Sequence, residues 1–251
     1  MRVIDMRVID LVLAIALSLS CVGCFGTETG NPSVALMAID AHSTDPMSVS
    51  VRGSDGIVVD AAWISFGQVG LVPAGSCPSA DGERTSDALG TGDHSEPGSV
   101  RFDIELANEA SFCELTVPFT VLDGTLPAGA PAELAGRAMV VLGHLPDGTE
   151  LRIVSGFSGE VTVTPDTDPT FALTADEPGL LVGLDVSRWI VAADLGGADR
   201  EPDGSIVLDD TRNTAARDAF DARVASGVEL YRDEGADGVL DAVPVLIGRG
   251  E

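Results

Sequence analysis

The sequence predicts a mainly β protein, an antiparallel sandwich covered by one carboxy-terminal helix. Three observations carry that prediction. Apolar and polar residues alternate with a period of two in several short runs, the pattern of strands with one buried face. Gly, Pro and Asp stand between those runs, as tight turns require. A single stretch with helical spacing comes late in the chain, after most of the strands.

In chain order, "VALMAID" from Val34 and "GIVVDAAWISFGQVGLV" from Gly56 are apolar enough to be buried strands. Residues 73–99 are rich in Gly, Ser, Asp and Pro. That composition cannot build a core and predicts a long exposed loop. "RFDIELA" then sets Phe102, Ile104 and Leu106 against Arg101, Asp103 and Glu105. "FCELTVPF" sets Cys113, Leu115, Val117 and Phe119 inward, and its Pro118 predicts an edge strand or a bulge. "RAMVVLGHL" from Arg137 is another buried strand, followed by a Pro146-Asp147-Gly148 turn. "GEVTVTPD" and "PTFALTAD" return to period two, and "LLVGLDVSRWIV" from Leu180 is mixed. Residues 194–204 form a second loop. The helix falls at about 211–226, capped by Asp210 or Thr211, with Ala216, Ala219, Phe220 and Val224 on one side and Gly227 to end it. "AVPVLIG" closes the chain as a last strand. Trp63 and Trp189 are the expected large core anchors. The topology expected for such a layout is immunoglobulin-like or transthyretin-like.

The amino terminus carries an address. Leu11–Leu19 is an apolar run too short to span a bilayer, which takes about 20 residues, and it fits the core of a secretory signal. "MRVID" occurs twice, which makes Met6 an alternative start. The run ends in Val22-Gly23-Cys24, a small residue just before a cysteine, as in a bacterial lipobox. Residues 1–23 are therefore expected to be a lipoprotein signal peptide, Cys24 the acylated residue, and 24–33 a flexible tether rich in Gly, Asn and Pro. Residues 34–251 form the β domain. A plain secretory signal with incidental cysteines is the bland alternative.

The stretch "CFGTETGNP" from Cys24 resembles the mature amino terminus of uncharacterised envelope lipoproteins of delta-proteobacterial type. The resemblance covers Cys24 and Gly26 to Pro32. It implies a lipid-anchored protein of the cell envelope and no particular activity; the outer membrane is the location expected, with the inner membrane the alternative.

Composition narrows the function. The net charge is −26, from 40 acidic and 14 basic residues, and every basic residue is an arginine. Lysine chemistry is excluded: no Schiff base and no phosphate-loop lysine. A surface this acidic disfavours nucleic acid, as well as electrostatic attachment to anionic lipid. With Cys21 lost and Cys24 acylated, Cys77 and Cys113 remain for one disulfide in an oxidising compartment.

No nucleophile, phosphate-loop or metalloprotease motif is present, and no catalytic residue is assigned. Asp93-His94, beside Glu96, is expected in a solvated loop, and His144 at a strand end. "DEGADGVLD" has the outline of a calcium loop, with Asp233, Asp237 and Asp241 as ligands and Gly238 for the turn. Gly235 and Pro244 stand where ligands are needed, so the site expected is weak, against the alternative of an acidic turn. The function expected is a non-catalytic binding, adhesive or structural module, with an envelope protein or a glycan as partner. The alternative is an envelope hydrolase that uses dispersed carboxylates.

Overall fold

The computed structural model describes residues 33–39, 51–52, 56–77, 83–95, 100–103, 111–173, 179–235, 238–241 and 243–251. The expected signal peptide (1–23), Cys24, the rest of the expected tether before Ser33, and Asp237 lie outside the described residues.

The strands are β1 (Ser33–Ile39), β2 (Val51–Arg52), β3 (Val58–Pro73), β4 (Arg84–Asp93), β5 (Val100–Asp103), β6 (Ser111–Phe119), β7 (Met139–His144), β8 (Glu150–Ser155), β9 (Gly159–Pro165), β10 (Phe171–Ala172) and β11 (Gly179–Asp185), followed by β12 (Ile206–Leu208), β13 (Val228–Arg232) and β14 (Leu246–Gly250). Helix α1 (Val186–Ala192) follows β11 directly, and α2 (Thr214–Asp221) precedes β13. All the described strands belong to one open sheet, in the order β12-β8-β7-β3-β6-β9-β14-β13-β11-β1-β5. Strands β2 and β4 also pair with β3, and β10 with β6.

The mainly β class agrees with the sequence reading; two details differ. The sheet is mixed rather than antiparallel throughout, because β1 pairs parallel with β11 and β12 parallel with β8. Among the described residues there are two α-helices, not one. The added helix is the second half of "LLVGLDVSRWIV". Asp185 ends the strand and caps the helix by accepting the Arg188 N–H at 3.0 Å.

β3 organises the sheet. Its first half pairs with β7 and its second half with β6. The change of partner falls between Ile64 and Phe66, and a bulge lies on each side of it, one near Asp60 in the β7 pairing and one between Phe66 and Gly70 in the β6 pairing. A bulge bends and twists a strand, so β3 belongs to two differently directed parts of the sheet. Pro118 of β6 lies against the second bulge, beside Gly67, so its missing N–H falls where the ladder is already broken. The bulge expected from Pro118 is present, and β6 is a central strand rather than an edge.

The segment expected as a loop over 73–99 contains β4, hydrogen-bonded along β3 from Trp63 to Leu71. Its residues, "RTSDALGTGD", show no apolar alternation. The strand exists because β3 offers an open edge, a tertiary cause that local sequence does not display.

Apolar faces of β1, β3, β6, β7, β9, β11 and β13 enclose one main core. Helices α1 and α2 cover it with Trp189 and Phe220, whose rings meet edge to face at 5.9 Å. Trp189 is a core anchor as expected. Trp63 is only partly buried, in a satellite cluster with Leu134, Val140 and Val154. The helix lies within the expected 211–226, and Phe220 and Val224 enter the core as the spacing required. Its start differs: the cap is Asn213, in the left-handed region at φ 48°, which Asn tolerates better than most residues. The Asn213 amide bonds Asp199 and the Val207 carbonyl instead of the helix N–H groups.

Asp209 explains why the helix begins late. Its carboxylate accepts the Thr211 N–H, the Thr211 hydroxyl and the Arg212 N–H, each at 2.8 Å, and the Arg212 Nε–H at 2.9 Å. Burial alone raises this carboxyl's pKa; the hydrogen bonds from Arg212 and Thr211 outweigh it and hold the pKa far below the usual carboxylate range. A depressed pKa contributes stability above the unfolded value, near 3.9, and that stability is lost as pH falls through the folded value. Asp209→Ala is therefore expected to destabilise the protein at pH 7 by about 1–3 kcal/mol. The deficit should shrink on acidification, as followed by urea unfolding at several pH values.

Candidate functional site

The most built polar surface lies where the β7–β8 hairpin meets the segment leading into β12. Both meeting points are turns of the same sequence type. "LPDGT" (145–149) joins β7 to β8, and "EPDGS" (201–205) precedes β12. In the first, Leu145 and Thr149 close the hairpin at 2.9 Å and Asp147 accepts the Thr149 N–H at 2.9 Å. In the second, Glu201 and Ser205 close at 2.8 Å, and Asp203 accepts the Ser205 N–H at 2.9 Å and its hydroxyl at 2.7 Å. Hydrogen bonds from Thr149 and from Ser205 lower the pKa of Asp147 and of Asp203 respectively. Gly148 and Gly204 take the left-handed φ each turn needs, at 80° and 91°. Arg200 ties the two turns together, reaching the Thr149 hydroxyl at 2.6 Å and Asp147 at 3.3 Å.

Beside the paired turns is an open cleft of about 720 Å³. Its polar lining includes Asp60, His144, Glu150, Arg152, Asp203 and Arg212. The β3 bulge presents Asp60, and the end of β7 presents His144, whose Nδ1 lies 3.0 Å from Asp60 Oδ2. Glu150 is the cross-strand partner of His144. Both members of the His–Asp pair are well solvated, at 41% and 55% exposed. The Ser205 hydroxyl is committed to Asp203. Arg152 is paired with Glu133, and Arg212 with Asp209 and Glu201. This is a cleft of mixed charge, with hydrogen-bonding groups fixed by rigid turns and suited to a polar ligand.

A second polar group is buried on the outer face of β11, β13 and β14. Glu229 accepts from the Tyr231 hydroxyl and, at 2.8 Å, from Arg249 Nε. Arg188 of α1 lies 3.6 Å away. Burial, with the carboxylate of Glu229 beside it, raises the Tyr231 hydroxyl far above its usual pKa. The sequence reading found neither this network nor β13. "VELYR" alternates, but both its faces are buried, one apolar and one polar.

The residues singled out in the sequence fare differently. Cys77 and Cys113 form the expected disulfide. Cys113 does not face inward: a one-residue bulge opposite Pro73 turns Phe112 into the core and Cys113 out of it. His94 is not in a solvated loop. It is buried, its ring edge-on to Phe66 at 5.1 Å, because Asp93 folds the chain back by accepting the N–H groups of Ala62 and Ser95. Glu96 lies outside the described residues. In the acidic turn, Gly238 has the left-handed φ of 73° expected of it. Asp233 points inward and accepts the Gly238 N–H at 2.8 Å, and Asp241 accepts the Glu234 N–H at 3.3 Å. These two carboxylates thus brace the turn itself. Among the described residues no group of three or more His, Cys, Asp or Glu is arranged for a metal ion.

No family model matches the chain, and no curated protein or solved structure matches it significantly.

Proposed function

We propose that the protein is a lipid-anchored module of a bacterial cell envelope, held on the outer membrane by acyl chains on Cys24, and that it works by binding rather than by catalysis. The observation that carries the reading is the sequence Val22-Gly23-Cys24 after an apolar run, a short tether ahead of β1. The Cys77–Cys113 disulfide supports it, since such bonds persist in oxidising compartments. The cleft beside the paired Pro-Asp-Gly turns is the binding surface in this reading. Its partner is polar, an envelope protein or a glycan. The sandwich architecture belongs to the same proposal, supported by β3, because a bulged strand that changes partners along its length is how packed sheets turn a corner.

One observation favours the alternative, an envelope hydrolase: the cleft gathers His144 with Asp60, Glu150 and Asp203. The binding reading is preferred because His144 and Asp60 are solvated and Asp203 is committed to Ser205, whereas acid–base catalysis needs a group held toward a reacting atom.

Cys24→Ser tests the anchor. The hydroxyl does not replace the thiol as acyl acceptor, so the variant is expected to accumulate as unprocessed precursor. Mass spectrometry of the wild-type amino terminus should show acylated Cys24. An unmodified peptide that begins downstream of Cys24 would sink the proposal.

A further inference from the structure

The described surface carries four exposed large hydrophobic residues, and two of them, Val243 at 82% and Val245 at 48% exposed, flank Pro244 on one loop. Pro244 is exposed as well. The loop sits at a particular end of the sheet. Ser33, where the chain enters β1, pairs with Gly179. The next residue of β11, Leu180, pairs with Arg232. The Arg232 N–H bonds the Val245 carbonyl at 2.9 Å. The root of the tether and the root of the apolar tip are therefore three strand spacings apart, about 14 Å. The nine peptide steps from Cys24 to Ser33 reach at most about 30 Å.

On the reading that Cys24 is acylated, the tether keeps this end of the domain close to the bilayer. We infer that the Val243-Pro244-Val245 tip is a lipid-contact surface, which touches the membrane that anchors the chain and so orients the domain. The charge around it selects the lipid. Asp166, Asp168 and Glu234 are exposed at the same end, with Asp166 joined to β14 through the Ile247 carbonyl. Carboxylates are repelled by anionic headgroups, so the surface it fits is zwitterionic. The cleft lies on a different part of the sheet, beyond β3 in strand order, and the contact leaves it open.

The full chain, purified in detergent with acyl mass on Cys24 verified, is reconstituted into phosphatidylcholine vesicles that carry quencher-labelled acyl chains. An environment-sensitive fluorophore is placed on Val243→Cys. In a second preparation it is placed on Asp123→Cys, an exposed site beyond Phe119, at the other end of the β6–β9 ladder. Quenching is expected to be several-fold stronger at 243 than at 123. Adding Val245→Asp to the chain labelled at 243 should bring it down to the level of the control. Equal quenching at both sites in an acylated chain overturns the lipid contact and leaves the anchor standing. Absence of acyl mass on Cys24 overturns the anchor, and the contact with it.

Discussion

Trp189→Ala is expected to lower the stability of the domain by about 3–5 kcal/mol, the range for removing a large buried aromatic side chain. The residue is fully buried and joins three parts of the fold. Its ring meets Phe220 of α2 at 5.9 Å and Phe119 of β6 at 6.5 Å, and it packs against Gly227 ahead of β13. The last contact supplies a second arm. A Cβ on Gly227 would lie 2.0 Å from Trp189 Nε1, far inside contact distance, so Gly227→Ala should also destabilise, by about 1–3 kcal/mol or more. Alanine at both positions removes the clash that the single Gly227 change creates. The double variant should therefore lose less than the sum of the two losses. Urea unfolding of the four proteins measures the coupling; strict additivity would mean that the indole does not bear on Gly227.

Loss of the disulfide is expected to cost a comparable amount, about 3–4 kcal/mol in the chain-entropy account. The bond closes a separation of 36 residues and fastens the turn after β3 to the start of β6. Cys77 is exposed, so a small reductant reaches the bond without unfolding the core. Reductant should shift the unfolding midpoint of the wild type to that of Cys77→Ser/Cys113→Ser, and it should leave the double variant unchanged. A reductant response that persists in the double variant would assign the effect to something else.

Strands whose own residues pay the cost of ordering were legible. β6, β7 and β9 show their inner faces as Leu115 and Val117, Met139 and Val141, and Val161 and Val163. What escaped depends on partners distant in sequence. β4 is recruited by the edge of β3, and β13 hides a polar but buried face. α1 is seven residues long, too short for periodicity to separate it from a strand. The bulge that reverses Cys113 and Phe112 changes phase by one residue, which alternation alone does not reveal. At the cleft, each Pro-Asp-Gly turn could be read singly. Their docking could not, because it depends on Arg200 reaching across to the other hairpin.

The parallel pairing of β1 with β11 also governs when the protein can fold. On one edge Ser33 through Ile39 pair with Gly179 through Asp185, so that edge waits for a strand made much later, while β5 pairs with the other. Contacts this distant in sequence raise the contact order and slow folding. The pairings of β3 with β4 and β6 lie within the amino-terminal half; it is the β11-facing edge of β1 that stays open until most of the chain is available. By the same logic, a chain truncated before Gly179 keeps only β5 as a partner for β1 and lacks Leu180 and Leu181, the residues opposite Val34 and Ala35 on the other edge.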